Sequence, residues 1–135
     1  MKAISLSAII LSCLVGGKAL ADSGRYTLWG HGSDSCGSFV KEHQRKGPTY
    51  WLQVSWISGF ISAENGEWLL SIHAKLPNLD ATRFDFLKGT DASGLILWLV
   101  NYCRENPLDN LGTASMKLSK ELIDRQAKIS GDAKQ

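Results

Sequence analysis

The chain has little of the chemistry by which small enzymes and metalloproteins are usually recognised. Its 135 residues hold only three histidines and three cysteines. His31, His43 and His73 include no pair four apart on a helix and no HExxH. A zinc site needs three or four converging ligands, so no resident metal is expected. No G-x-S-x-G places a serine nucleophile, and no C-x-x-C offers a redox dithiol. Glu64 and Glu67 are three apart, but a carboxylate pair at that spacing is ordinarily solvated, and nothing beside it separates an acid from a base. The expectation is a non-enzyme without cofactor. There is also no internal repeat, no low-complexity stretch and no block of like charge. The apolar stretch from Ala3 to Val15 stops at Gly16-Gly17-Lys18, short of the roughly 20 residues a membrane span needs.

What that stretch does resemble is an export leader. Lys2 supplies the positive start, Ala3–Val15 the apolar middle and Ala19-Leu20-Ala21 a small-x-small cleavage site. Residues 1–21 therefore read as a secretory signal cleaved after Ala21, and the mature protein as periplasmic. Cys13 falls inside the apolar run, which argues against a lipoprotein. With the leader go Lys2 and Lys18, and the remaining basic and acidic side chains balance. That leaves no basic footprint for nucleic acid. In strong acid, with carboxylates protonated, the same chain becomes strongly cationic, and self-repulsion then loosens a compact state.

With 44% hydrophobic and 21% charged residues the composition is that of one globular domain. Two cysteines survive processing, Cys36 and Cys103. In an oxidising compartment an even pair reads as a disulfide, the alternative being two buried free thiols. A bridge would close a loop of about 67 residues and stabilise on the order of 4 kcal/mol.

The periodicity predicts an all-α fold, a small domain of four, or four to five, helices over residues 33–130. Residues 22–32 read as an extended lead. The first helix is expected to start at Ser33 or Asp34 and to carry Cys36, Phe39, Val40 and His43 on one face, with Gly47-Pro48 ending it. The second starts near Pro48 or Thr49 and runs to Asn65-Gly66. It is apolar around much of its circumference. Its stripe of Ser55, Gly59 and Ala63 suits close approach of another helix. Residues 66–89 are the least regular, with a short helix from Glu67 to Leu76 broken by Pro77 and then an aromatic loop holding Phe84 and Phe86. Thr90 and Asp91 open a central third helix that carries Trp98 into the core. Asn106 and Pro107 open a fourth, along which Leu108, Leu111, Ser115, Leu118 and Leu122 keep a helical period.

Five tryptophans remain to be explained. Core packing is the simpler account. The functional one is an apolar surface that binds a partner, with Trp51, Trp56, Phe60 and Trp68 as candidates and Trp51 and Trp68, at segment ends, as the more exposed.

Cys36-Gly37-Ser38-Phe39, then Trp56 and Gly59, then Tyr102-Cys103-Arg104-Glu105-Asn106-Pro107 and Leu111 form a pattern that resembles the HdeA/HdeB family of periplasmic acid-stress chaperones. The resemblance covers about residues 33–125. It implies a small helical domain in which Cys36 and Cys103 form the family's disulfide, often as a homodimer at neutral pH. In acid such a domain would loosen and bind unfolded periplasmic proteins through apolar surface, without ATP. The chain departs from compact members at Glu64–Thr90, which is longer and rich in aromatics. That departure keeps a second function open: a constitutive binding or immunity-type inhibitor protein that meets one specific envelope partner through the aromatic loop 66–89.

Overall fold

The computed structural model describes residues 28–132. The leader at 1–21, its cleavage site, Cys13 and residues 22–27 of the lead lie outside the described residues. Among the described residues there are four α-helices: α1 (Cys36–Arg45), α2 (Pro48–Lys75), α3 (Ala92–Glu105) and α4 (Leu111–Asp132). Two 3-10 turns, Gly30–Ser33 and Ala81–Phe84, are the other regular elements, and one isolated β-bridge pairs Ser35 with Asn110. The protein is a small all-α domain with one disulfide.

Helices α1, α3 and α4 begin where a side chain satisfies a free amide of the first turn, and α2 begins instead with a proline, which has no amide to satisfy. Ser35 caps α1, its hydroxyl accepting from the Ser38 amide at 3.1 Å. The caps expected at Ser33 and Asp34 fall early, because Ser33 belongs to the preceding 3-10 turn and the Asp34 carboxylate is engaged elsewhere. The C-cap of α1 is Lys46 in the left-handed region (φ 54°), with Gly47 already the N-cap of α2 and Pro48 in its first turn. For α3 the cap is Asp91, accepting from the Gly94 amide at 2.8 Å, while the Thr90 hydroxyl donates back to the Leu87 carbonyl. The first turn of α4 is held by Asn110, which accepts from the Thr113 amide at 2.8 Å.

Two boundaries differ from expectation. Helix α2 does not stop at Asn65-Gly66 but continues without a break to Lys75, about 42 Å in all at 1.5 Å per residue. A mid-helix glycine costs only about 1 kcal/mol, and contacts on either side of Gly66 offset it. Asn65 donates to Asp85 at 2.9 Å and accepts from the Phe86 amide at 3.2 Å. Trp68 donates to the Phe84 carbonyl at 3.1 Å. The segment 66–89 is therefore a helix as far as Lys75 and a loop only from Leu76 onward. Nor does α4 start at Asn106-Pro107. Residues 106–110 form the turn, with Leu108 97% exposed, because their carbonyls already serve α1. The amides of Cys36 and Gly37 bond the carbonyls of Asp109 (2.7 Å) and Pro107 (3.0 Å), and the Leu111 amide returns to the Asp34 carbonyl (2.9 Å).

That backbone junction sits on the disulfide. Cys36 and Cys103 are bonded, with Cα atoms 4.7 Å apart and 67 residues between them in sequence. Both are fully buried. Tyr102, next to the bridge, donates its hydroxyl to Asp109, and that hydrogen bond, with burial and the carboxylate's charge, pushes the phenol up to about 12. Asn106 closes the turn by donating to the Tyr102 carbonyl at 2.9 Å. Thus α1 packs on α3 at the covalent end, and α2 packs on α4 across the rest. Between them lies one core: Phe39, Ile57, Ile61, Leu99, Val100, Leu111 and Leu118, with Phe86 brought in from the loop. The Ser55, Gly59 and Ala63 stripe, expected to seat a helix, faces solvent, and a Cβ on Gly59 would meet nothing within 4 Å.

Two outcomes follow from this arrangement. Replacing Cys36 and Cys103 together by Ser lowers unfolding free energy by about 4 kcal/mol, seen as a drop in the urea midpoint that added reductant reproduces in the wild type. Asn65→Ala removes two bonds to the loop and raises amide exchange of residues 84–87 while leaving α1 and α3 protected.

Candidate functional site

The surface of α2 sets the chemistry available. Between Pro48 and Ala63 the helix carries no charged side chain. Its core side supplies Tyr50, Gln53, Ile57 and Ile61. The opposite side runs through Leu52, Ser55, Gly59 and Ala63, spaced three or four residues apart and so on one face, and continues past the exposed Glu67 to Leu70. Leu52 is 56% and Leu70 71% exposed, and Trp51 beside them is 58% exposed. From Leu52 to Ala63 this face is a flat strip without charge, and Glu67 ends it. Such surfaces bind apolar partners when they are large enough.

The four aromatic candidates do not share one environment. Trp51 stands in solvent, with its ring edge on Tyr50 at 4.9 Å. Trp56 and Phe60 are half-buried and stacked on each other at 5.2 Å. Trp68, expected to be exposed, is half-buried and holds the loop through its indole N–H. Of the loop aromatics, Phe86 is wholly buried and Phe84 half-buried. Gln126 of α4 also donates to the Arg83 carbonyl at 2.8 Å, so the loop is tied to the bundle from two helices. Trp98, expected in the core, lies half-buried at its margin, stacked on Tyr102 at 5.3 Å and donating to Glu121 at 2.9 Å.

A second feature was not visible in the sequence. Residues Leu28–Asp34, expected to belong to or follow an extended lead, form a strap over α2 and α4. The Trp56 indole donates to the Trp29 carbonyl at 2.7 Å, while the Trp29 ring itself is 85% exposed. Gly30 and Gly32 lie against the Trp56 indole, where a Cβ on Gly32 would collide with the ring. Leu28 sits over Gly112 of α4 in the same way. The strap ends in a polar cluster. One oxygen of Asp34, Oδ2, accepts from Gln53 Nε2 at 2.9 Å and lies 2.8 Å from His31 Nδ1. Gln53 is fully buried, and its Oε1 has no partner. The sequence signal was the Gly-x-Gly, but nothing in it says which aromatic face requires those glycines.

At the junction of α1 and α2, His43, Lys46 and Tyr50 form a cationic-aromatic corner. Lys46 Nζ lies 3.0 Å from His43 Nδ1 and 4.1 Å from the centre of the Tyr50 ring. Burial, then the charges of Lys46 and Arg104, hold the His43 imidazole below its ordinary value of 6.5. Among the described residues no three His, Cys, Asp or Glu side chains gather as a metal site would.

Because His43 binds its proton less readily folded than unfolded, the stabilisation from its neutral form is complete above pH 6.5 and is lost as pH falls below that value toward the folded one. The melting temperature is expected to fall more steeply between pH 8 and pH 5 in the wild type than in His43→Gln. Parallel curves would remove His43 as the responsible group. Comparison of the chain with protein families, with curated proteins and with solved structures found no match.

Proposed function

We propose that the protein is an exported, ATP-independent chaperone of acid stress, which holds unfolded periplasmic proteins on apolar surface of α2 and its neighbours. The observation that carries this reading is the uncharged length of α2 from Pro48 to Ala63, with Trp51 and Leu52 exposed and the Trp56–Phe60 pair only half covered. Such a surface stays uncharged in acid, because it carries no carboxylate, imidazole, amine or guanidinium. The disulfide supports the same reading. A chain cross-linked over 67 residues keeps α1, α3 and the turn to α4 together when packing loosens elsewhere. The bridge also fits export, which the leader pattern of residues 1–21 motivates. The inward-turned loop aromatics give the alternative, a fixed inhibitor acting through residues 66–89, no comparable observation in its favour.

The test is aggregation of an acid-unfolding client, followed by light scattering from pH 7 to pH 2 with the mature, oxidised protein present. Protection is expected in acid only, together with a red shift of Trp emission. Trp51→Ser combined with Leu52→Ser should reduce protection at equal protein concentration several-fold and leave the neutral-pH melting temperature within about 1 °C, since both side chains are exposed. A wild type that keeps its packing at pH 2 and protects no client rules the function out.

A further inference from the structure

The strap fills a groove whose walls have the properties of a peptide site. At one end Gly112 leaves a notch on α4 that takes the Leu28 side chain. In the middle the Trp56 indole offers both a flat face, against Gly30 and Gly32, and an N–H, which the Trp29 carbonyl accepts at 2.7 Å. At the far end the buried Gln53 amide donates to Asp34 at 2.9 Å. The groove itself is without charge, since α2 has no charged residue from Pro48 to Ala63 and α4 none from Leu111 to Met116. It therefore suits a short, apolar-to-neutral segment. The strap is an imperfect occupant. It uses only the N–H side of the Gln53 amide and leaves Oε1, in a residue with no exposure, without a partner. A peptide backbone carries both a donor and an acceptor and so has the means to satisfy both sides of that amide.

We propose that this groove is a binding site for short segments of unfolded polypeptide, and that residues 28–34 are its intrachain occupant, displaced as far as Ser33 when such a segment binds. The strap meets the junction at its last residue, where the Leu111 amide bonds the Asp34 carbonyl and Ser35 leads to the disulfide, so its length up to Ser33 can leave the groove while the covalent end of the bundle stays in place. This inference rests on the chaperone reading, for which it names a client contact and the element that covers it.

The test uses a fluorescein-labelled peptide with the sequence of residues 28–35, Leu-Trp-Gly-His-Gly-Ser-Asp-Ser, and the mature, oxidised protein at pH 7. Anisotropy titrations compare the wild type with Leu28→Asp/Asp34→Ala, which loosens the strap at both ends. The loosened variant is expected to bind at least ten-fold more tightly than the wild type, and adding Gly112→Val to it should abolish binding by filling the notch. A loosened variant that keeps its helical circular dichroism and binds no better than the wild type overturns the proposal. If that variant unfolds, Leu28→Ala, which empties the notch over Gly112 and leaves Asp34 in place, replaces it: a gain of three-fold or more supports the site, and no gain overturns it. Client protection is read separately. Peptide capture without protection at any pH sustains the groove and removes the chaperone function, while protection without capture removes the groove alone.

Discussion

The fold depends on one junction, where the first turn of α1 is fastened to the turn between α3 and α4. The Cys36–Cys103 bridge is its covalent part. Beside it, the amides of Cys36 and Gly37 and the carbonyl of Asp34 pair with Asp109, Pro107 and Leu111. A helix start has free N–H groups and a turn has free carbonyls, so each supplies what the other lacks. This explains the short, hydrogen-bonded turn beside the two cysteines. Tyr102 reaches Asp109, Asn106 closes the turn, and Pro107 presents a carbonyl to α1. The junction also fixes the base of the strap. Asp34 is bonded through its carbonyl to Leu111 and through its carboxylate to Gln53, so the chain is aimed across α2 and α4 from the moment it leaves the bridge.

The helices were legible in the sequence where local signals and burial agree. Cys36 and Phe39, and Leu99 with Cys103, stand at helical spacing and are buried as that spacing requires. The disulfide was expected from a leader-like start of the sequence and the even count of cysteines after it. The end of α2 was not legible, because its deciding partners are distant. Gly66 is a weak breaker, and only the contacts of Asn65 and Trp68 with residues 84–86 show why the helix continues through it. The start of α4 failed for a related reason. Asn106-Pro107 is a good local start signal, but the carbonyls of Pro107 and Asp109 are claimed by α1. For the candidate surface, Trp51 was found by its place at a helix end, whereas Trp68 was misjudged because its indole partner lies sixteen residues away.

The strap shows a further limit of sequence patterns. Three glycines before the first helix look like a mobile lead when each is read for its backbone freedom. Gly30 does need it, at φ 71°. Gly32 needs something else, the absence of a Cβ against Trp56. Close approach to an aromatic face requires a partner that only the folded chain identifies. The same holds for the Ser55, Gly59 and Ala63 stripe, whose small residues suggested helix packing and which instead leave α2 smooth and open to solvent.

The strap, the loop and the junction are each held by one carboxylate. Asp34 binds the strap to Gln53, with His31 beside it. Asp85 accepts from Asn65 and from the Leu87 amide and so folds the loop against α2. Asp109 receives the Tyr102 hydroxyl at the junction. The third aspartate sits next to a covalent bond. The first two meet side-chain amides of α2, Gln53 and Asn65, twelve residues apart on the same helix. The helix that carries the uncharged stretch thus also supplies the polar groups that hold the strap at one place and the loop at another.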